Sequence, residues 1–205
     1  MIWAVVLAAG ESKRMGEPKL FLPFRGRTLL EDVVAGVLRS PVDRTLVVLG
    51  AFADRTGALL DPYPVERTVN PDYRSGMLSS VQCGIRSLPR QARAALIFLG
   101  DQPGISPGTI AAVLEAYRTT GKGLVHPVSG GSGGHPLLVD TKYRDAVEGL
   151  DPRVGLKGLL ALHPEDVERV ETGEDAILLD IDTPEDYRRA LSGPGRSSKI
   201  SAGRK

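Results

Sequence analysis

Three short, mostly apolar runs constrain this chain more than any other feature. They are IWAVVLA over 2–8, RTLVVLG over 44–50 and AALIFLG over 94–100. Runs this short and this rich in Val, Ile and Leu read as strands buried on both faces. Amphipathic helical patterns lie between them. Thr28 and Glu31 form a capping box ahead of LLEDVVAGVL. A short helix is expected over 54–60 and a weak strand over 65–69. A helix over 77–88 is expected to bury Met77, Val81, Ile85 and Leu88, leaving Cys83 off that face. Ser106-Pro107 opens another helix. Short strands follow at GLVHP and HPLLV, on either side of the glycine-rich stretch 130–134, which reads as mobile or closely approached. Helices are expected near 141–149 and 154–162, a late strand over 177–181, and a final helix capped by Thr183-Pro184-Glu185-Asp186. This alternation predicts a mostly parallel sheet with helices on both sides. Such sheets bind ligands beyond the C-terminal ends of their strands.

Composition narrows the possibilities further. The 205 residues include 24 Gly and 15 Pro, so turns are abundant. A single Cys excludes a disulfide framework or a multi-thiolate metal site. The three histidines, His126, His135 and His163, share no zinc-ligand spacing. His163, at a helix end before Pro164, reads as structural. A net charge of +1 gives no general reason to expect nucleic-acid binding. Residues 192–205 carry four basic residues and no acid, which leaves the first 191 at −3. The chain therefore reads as one domain over 1–191 followed by a basic, disordered tail over 192–205. The run 2–9 lacks preceding basic residues, unlike a secretory signal, and nothing approaches a membrane span of about 20 apolar residues. A cytoplasmic protein without a membrane or nucleic-acid partner is expected.

The loop LAAGESKRMGEPKLFLP over 7–23 follows the first strand directly. Ala8, Ala9, Gly10 and Ser12 are small enough for backbone amides to approach an anion, and Arg14 and Lys19 add two cations. The spacing matches neither the dinucleotide fingerprint nor the P-loop, since Glu17 stands where the latter needs Lys. The same residues also suit a solvated surface loop. In LGDQP, Asp101 follows an apolar strand, where a carboxylate suits Mg²⁺ or simply fixes a turn. Asp180 and Asp182 in LLDIDTPED are two apart on one face; Asp182, or Asp180 in its place, either completes a metal site with Asp101 or is a turn residue ahead of the helix cap. Gly76, Ser79 and Ser80 stand at a helix start, where hydroxyls and amides suit a base edge, a phosphate or an ordinary cap. His135, after the glycines at 130–134, is placed to meet an acidic substrate.

Taken in order, LAAGESKRMGEPKLFLP, GMLSSVQCGI, LGDQP, GHP and DIDTPED resemble the MobA-like NTP transferase family over residues 1 to about 191, and within it the molybdenum cofactor cytidylyltransferase type. The resemblance implies a three-layer α/β/α Rossmann-like nucleotidyltransferase fold. It also implies transfer of CMP from CTP to the terminal phosphate of molybdopterin, with release of pyrophosphate. Leu7, Ala8, Ala9, Gly10, Ser12, Arg14 and Lys19 would bind the triphosphate; Asn70, Gly76 and Ser80 would lie at the base; Gln102 and His135 would meet the acceptor. Asp101 and Asp182 would hold Mg²⁺. Arg14, Lys19 and Asp101 are the implied catalytic residues, and a molybdoenzyme or its maturation factor is the implied downstream partner. The wording LAAG and GDQP favours the cytidylyl over the guanylyl type. Another NTP such as GTP, a sugar or alcohol phosphate acceptor, and a non-catalytic nucleotide- or cofactor-binding module are the alternative readings.

Overall fold

A computed structural model describes residues 1–192. The basic tail expected over 192–205 therefore lies, from residue 193 on, outside the described residues. Ten strands are present: β1 (Ile2–Ala8), β2 (Pro23–Phe24), β3 (Arg27–Thr28), β4 (Arg44–Leu49), β5 (Glu66–Val69), β6 (Ala94–Leu99), β7 (Leu124–Ser129), β8 (Ser132–Gly133), β9 (Leu137–Asp140) and β10 (Val167–Glu171). The helices are α1 (Leu29–Leu38), α2 (Ala53–Leu60), α3 (Met77–Ser87), α4 (Pro107–Thr120), α5 (Arg144–Glu148), α6 (Leu156–Leu162) and α7 (Pro184–Leu191).

The main sheet runs β10-β7-β9-β6-β1-β4-β5, with β8 folded back onto β7. β1 pairs in parallel with both β4 and β6, and β4 with β5. Within this sheet only β8 and β9 run against their neighbours, and β2 and β3 form a separate antiparallel pair. β1 shows why there are three layers. Its side chains alternate by the two-residue period of a strand, and both sets are buried. Ile2, Ala4, Val6 and Ala8 join the core with Val33, Val37 and Leu114 of α1 and α4. Trp3 and Val5 join a second core with Leu78, Val81, Val147 and Leu159 of α3, α5 and α6. Each large aliphatic side chain buried this way contributes about 1.5–3 kcal/mol. The fold is the three-layer α/β/α Rossmann-like arrangement, with a mostly parallel sheet.

A third, smaller core holds the site together. Met15, Leu22, Phe24 and Leu29 pack with Ile181 and Ala190, so α7 is fixed against the first loop. The capping boxes of α1 and α7, Thr28 with Glu31 and Thr183 with Asp186, are both formed. Ser106 caps α4, with Pro107 in the first turn.

Several expectations are corrected. Residues 177–181 are not a strand. Asp175–Leu178 is a 3-10 turn, and the Ile177 carbonyl serves a side chain and a loop amide instead of a ladder. The Ile177 carbonyl accepts from Gln102 Nε2 at 2.7 Å and from the His135 amide at 3.2 Å. The late strand is instead β10, whose VERVE sequence pairs with β7 at the sheet edge. In α3 the buried face carries Leu78, while Met77 is 61% exposed. Cys83 lies within that buried face, its thiol donating to the Val69 carbonyl. The glycine-rich stretch forms a tight β7–β8 connection, and Gly134 is closely approached: a Cβ there would lie 2.1 Å from the Ile177 carbonyl oxygen.

Candidate active site

The first loop, 9–18, is folded by its own polar groups. Ser12 adopts a left-handed φ of 56°. Its carbonyl accepts the Met15 amide at 3.0 Å, and its hydroxyl accepts the Lys19 amide at 3.1 Å. Met15, buried, anchors the middle of the loop. These contacts start the 3-10 turn Lys19–Phe21 and send the Lys19 side chain back across the end of β1.

Two acidic segments meet it there. Asp101 lies just past the end of β6, and Asp182 just before α7. The Ile181 amide donates to the Asp101 carbonyl at 3.4 Å, which joins the two segments. The Lys19 ammonium pairs with both carboxylates, standing 2.8 Å from Asp182 Oδ1 and closer still to Asp101. Arg14, exposed, reaches Asp182 Oδ2 at 2.8 Å. Burial works to lower the Lys19 pKa, but the adjacent charge of Asp101 and hydrogen bonds to both carboxylates outweigh it, so it stands above the ordinary lysine value. Asp180 is the third carboxylate here. Partial burial raises it above the usual carboxylate range, and the negative charges of Asp101 and Asp182 add to the effect.

A cleft of about 500 Å³ opens over these groups. Leu7, Ala8, Ala9, Gly10, Ser12, Arg14, Lys19, Gly76, Ser80, Asp101 and Asp182 all line it, with Lys13, Tyr73, Met77 and Asp180. Gly76 supplies the left-handed turn into α3, at a φ of 103°. Asn70 is not among the lining residues. It is buried, its amide nitrogen donates to Ser79 and Ser80, and its oxygen accepts the Asp72 amide. It holds Ser80 at the cleft wall.

Gln102 and His135 line a second, larger cleft of about 1180 Å³, which shares Leu7, Met77, Leu99 and Asp180 with the first. Gln102 is buried and committed to the Ile177 carbonyl through its Nε2. The His135 ring places Nδ1 at 3.2 Å from the Ile97 carbonyl, and burial pushes its pKa below the ordinary histidine value. Sequence reasoning missed the cations of this second wall, Arg153, Lys157 and Arg169. No spacing links them to the motifs, because they come from α6, the loop before it and the edge strand β10.

The donor set suits a hard divalent cation. Mg²⁺ takes one or two carboxylates and completes its shell with water and phosphate oxygens. Asp101 and Asp182 converge on one internal cation already, the Lys19 ammonium. Among the described residues, no cluster of three or more His, Cys, Asp or Glu side chains is arranged to hold a metal without such outside ligands.

A doubly wound sheet, a small-residue loop with Arg and Lys at the end of an interior strand, β1, and paired carboxylates opposite are the architecture of a nucleotidyltransferase. Residues 4–169 match the model of the MobA-like NTP transferase domain, and the chain belongs to that family. A nucleoside triphosphate is therefore its substrate class. It is 32% identical over 200 residues to nicotine blue oxidoreductase from Paenarthrobacter nicotinovorans, covering 93% of this chain and 96% of that one. It is 30% identical over 188 residues to the molybdenum cofactor cytidylyltransferase of Escherichia coli (strain K12), covering 89% and 92%. Among solved structures, Rv0371c from Mycobacterium tuberculosis H37Rv is similar with a TM-score of 0.81 and 27% identity, covering 93% of this chain and 97% of that one. The structure of Rv0371c in complex with manganese matches with a TM-score of 0.77 and 25% identity, covering 94% and 99%.

Proposed function

We propose that this enzyme moves CMP from CTP to the terminal phosphate of a molybdopterin-type acceptor, with Mg²⁺ as cofactor, and works in the cytoplasm. The carrying observation is the meeting of two clefts at Leu7, Met77, Leu99 and Asp180, one lined by the small-residue loop and the other by cations. The 30% identity to a molybdenum cofactor cytidylyltransferase supports the choice of acceptor.

In this reading the amides around Ala8 to Ser12 hold the triphosphate, and Arg14 and Lys19 balance its charge. Ser80, held by Asn70, and Gly76 lie at the base side. The acceptor occupies the second cleft, where Arg153, Lys157 and Arg169 offset its negative charge and His135 borders it. An oxygen of the acceptor phosphate forms a bond to the α-phosphorus of CTP. The bond from that phosphorus to the α–β bridging oxygen breaks, and its electron pair leaves with pyrophosphate. The attacking oxygen is already anionic, so the chain needs no general base. Mg²⁺, held by Asp101 and Asp182 when bound, supplies further charge neutralisation. Lys19 and Arg14 stabilise negative charge as it shifts to the leaving group.

The test is pyrophosphate release with each of the four NTPs, with and without molybdopterin. Release with CTP that requires molybdopterin is expected. Release that requires GTP, or a sugar or alcohol phosphate, would move the assignment to another member of the same class.

A further inference from the structure

Lys19 does more in this structure than wait for phosphate. Its ammonium sits between Asp101 and Asp182, and its side chain is only 13% exposed. Arg14 takes the other oxygen of Asp182. Asp180 brings a third acidic group to the same cleft wall. Carboxylates gathered this closely repel one another unless a cation lies among them. We infer that Lys19 is a placeholder cation: it keeps Asp101 and Asp182 assembled and denies them to bare metal until a triphosphate arrives.

The consequence is an order of loading. A divalent ion alone must break both Lys19 contacts and leave a mostly buried ammonium without a partner, which is costly. A triphosphate in the first cleft gives Lys19 and Arg14 new anionic partners, so the carboxylates are released at little cost. By linkage, triphosphate and metal each raise the other's affinity. The site then loads as a metal–nucleotide pair and resists occupation by free metal. This inference rests on the reading of Asp101 and Asp182 as the metal ligands.

The test titrates Mn²⁺ alone, without nucleotide, and follows free Mn²⁺ by electron paramagnetic resonance. Lys19→Met is expected to bind bare Mn²⁺ about tenfold or more tightly than the unaltered protein, within the usual range of coupling between sites. Arg86→Met, which removes an exposed cation paired with Glu148 outside both clefts, is expected to change the affinity less than twofold. Adding Asp101→Asn to Lys19→Met is expected to abolish the gain. Lys19→Gln serves as the second variant if circular dichroism shows that Lys19→Met does not fold. Equal Mn²⁺ affinity in the Lys19 variants and the unaltered protein overturns the placeholder role and leaves the metal reading standing. A gain that survives Asp101→Asn, or no Mn²⁺ binding by any of these proteins even with CTP present, overturns both.

Discussion

Lys19 Nζ stands 2.8 Å from Asp182 Oδ1, a contact that joins residues 163 positions apart. It closes the site by tying the loop after β1 to the segment before α7. Because the contact lies where negative charge gathers, removing the ammonium is expected to hurt chemistry more than folding. Lys19→Ala is expected to keep the native circular dichroism spectrum and lose about 100-fold or more in turnover, the scale seen when a transition-state charge partner is removed. Near-normal turnover would contradict its catalytic role.

Asp101 and Asp182 are expected to fail in the same way. Asp101→Asn and Asp182→Asn each keep the side-chain volume and remove a negative charge. Turnover in either variant is expected to need far more Mg²⁺ for half-saturation, measured by varying Mg²⁺ at saturating CTP. An unchanged Mg²⁺ requirement in both would remove them from the metal site.

Sheet, layers and first loop were legible in the sequence because local signals carried them. The runs at 2–8, 46–49 and 94–99 are apolar on both faces, and the caps at Thr28, Ser106 and Thr183 mark where helices begin. The segment over 177–181 reads as a strand because ILLDI is a short, largely apolar run. What decides its conformation lies elsewhere in the chain, at Gln102, His135 and Gly134. Met77 looked like a core residue by helical spacing, yet it borders both clefts. The cations at Arg153, Lys157 and Arg169 had no motif to announce them. Tertiary packing brings Arg169 of β10 to the same wall as Arg153 and Lys157.

Glu174 shows a similar long-range dependence. Its carboxylate accepts from the Ser106 amide at 2.9 Å, the Ser106 hydroxyl at 3.0 Å, and the Thr109 hydroxyl. It thereby fastens the segment after β10 to the start of α4. Charge-assisted hydrogen bonds contribute about 1.5–3 kcal/mol, and because Glu174 is only partly buried, water replaces much of what the three contacts together supply. Glu174→Ala is expected to lower the urea midpoint by the equivalent of about 2 kcal/mol, with the slope unchanged. No shift in the midpoint would show that the three contacts are not held in solution.

Acid is expected to loosen the second cleft. Burial lowers the pKa of both His126 and His135 below the ordinary value of 6.5. The neutral rings are favoured in the folded state, so the stability they contribute is fully present above pH 6.5. It is lost as pH falls below 6.5 and through the folded-state values, because the unfolded chain binds protons first. Melting temperature is expected to fall between pH 7 and pH 5, and His135→Asn is expected to flatten that slope. A steeper slope in the variant would contradict this assignment.

Pyrophosphate release from each of the four NTPs, with and without molybdopterin, tests the central claim most directly. The account predicts release from CTP that needs both molybdopterin and Mg²⁺, and that in Asp101→Asn needs far more Mg²⁺ than in the unaltered protein. Absence of release from every NTP in the presence of molybdopterin and Mg²⁺ would contradict it.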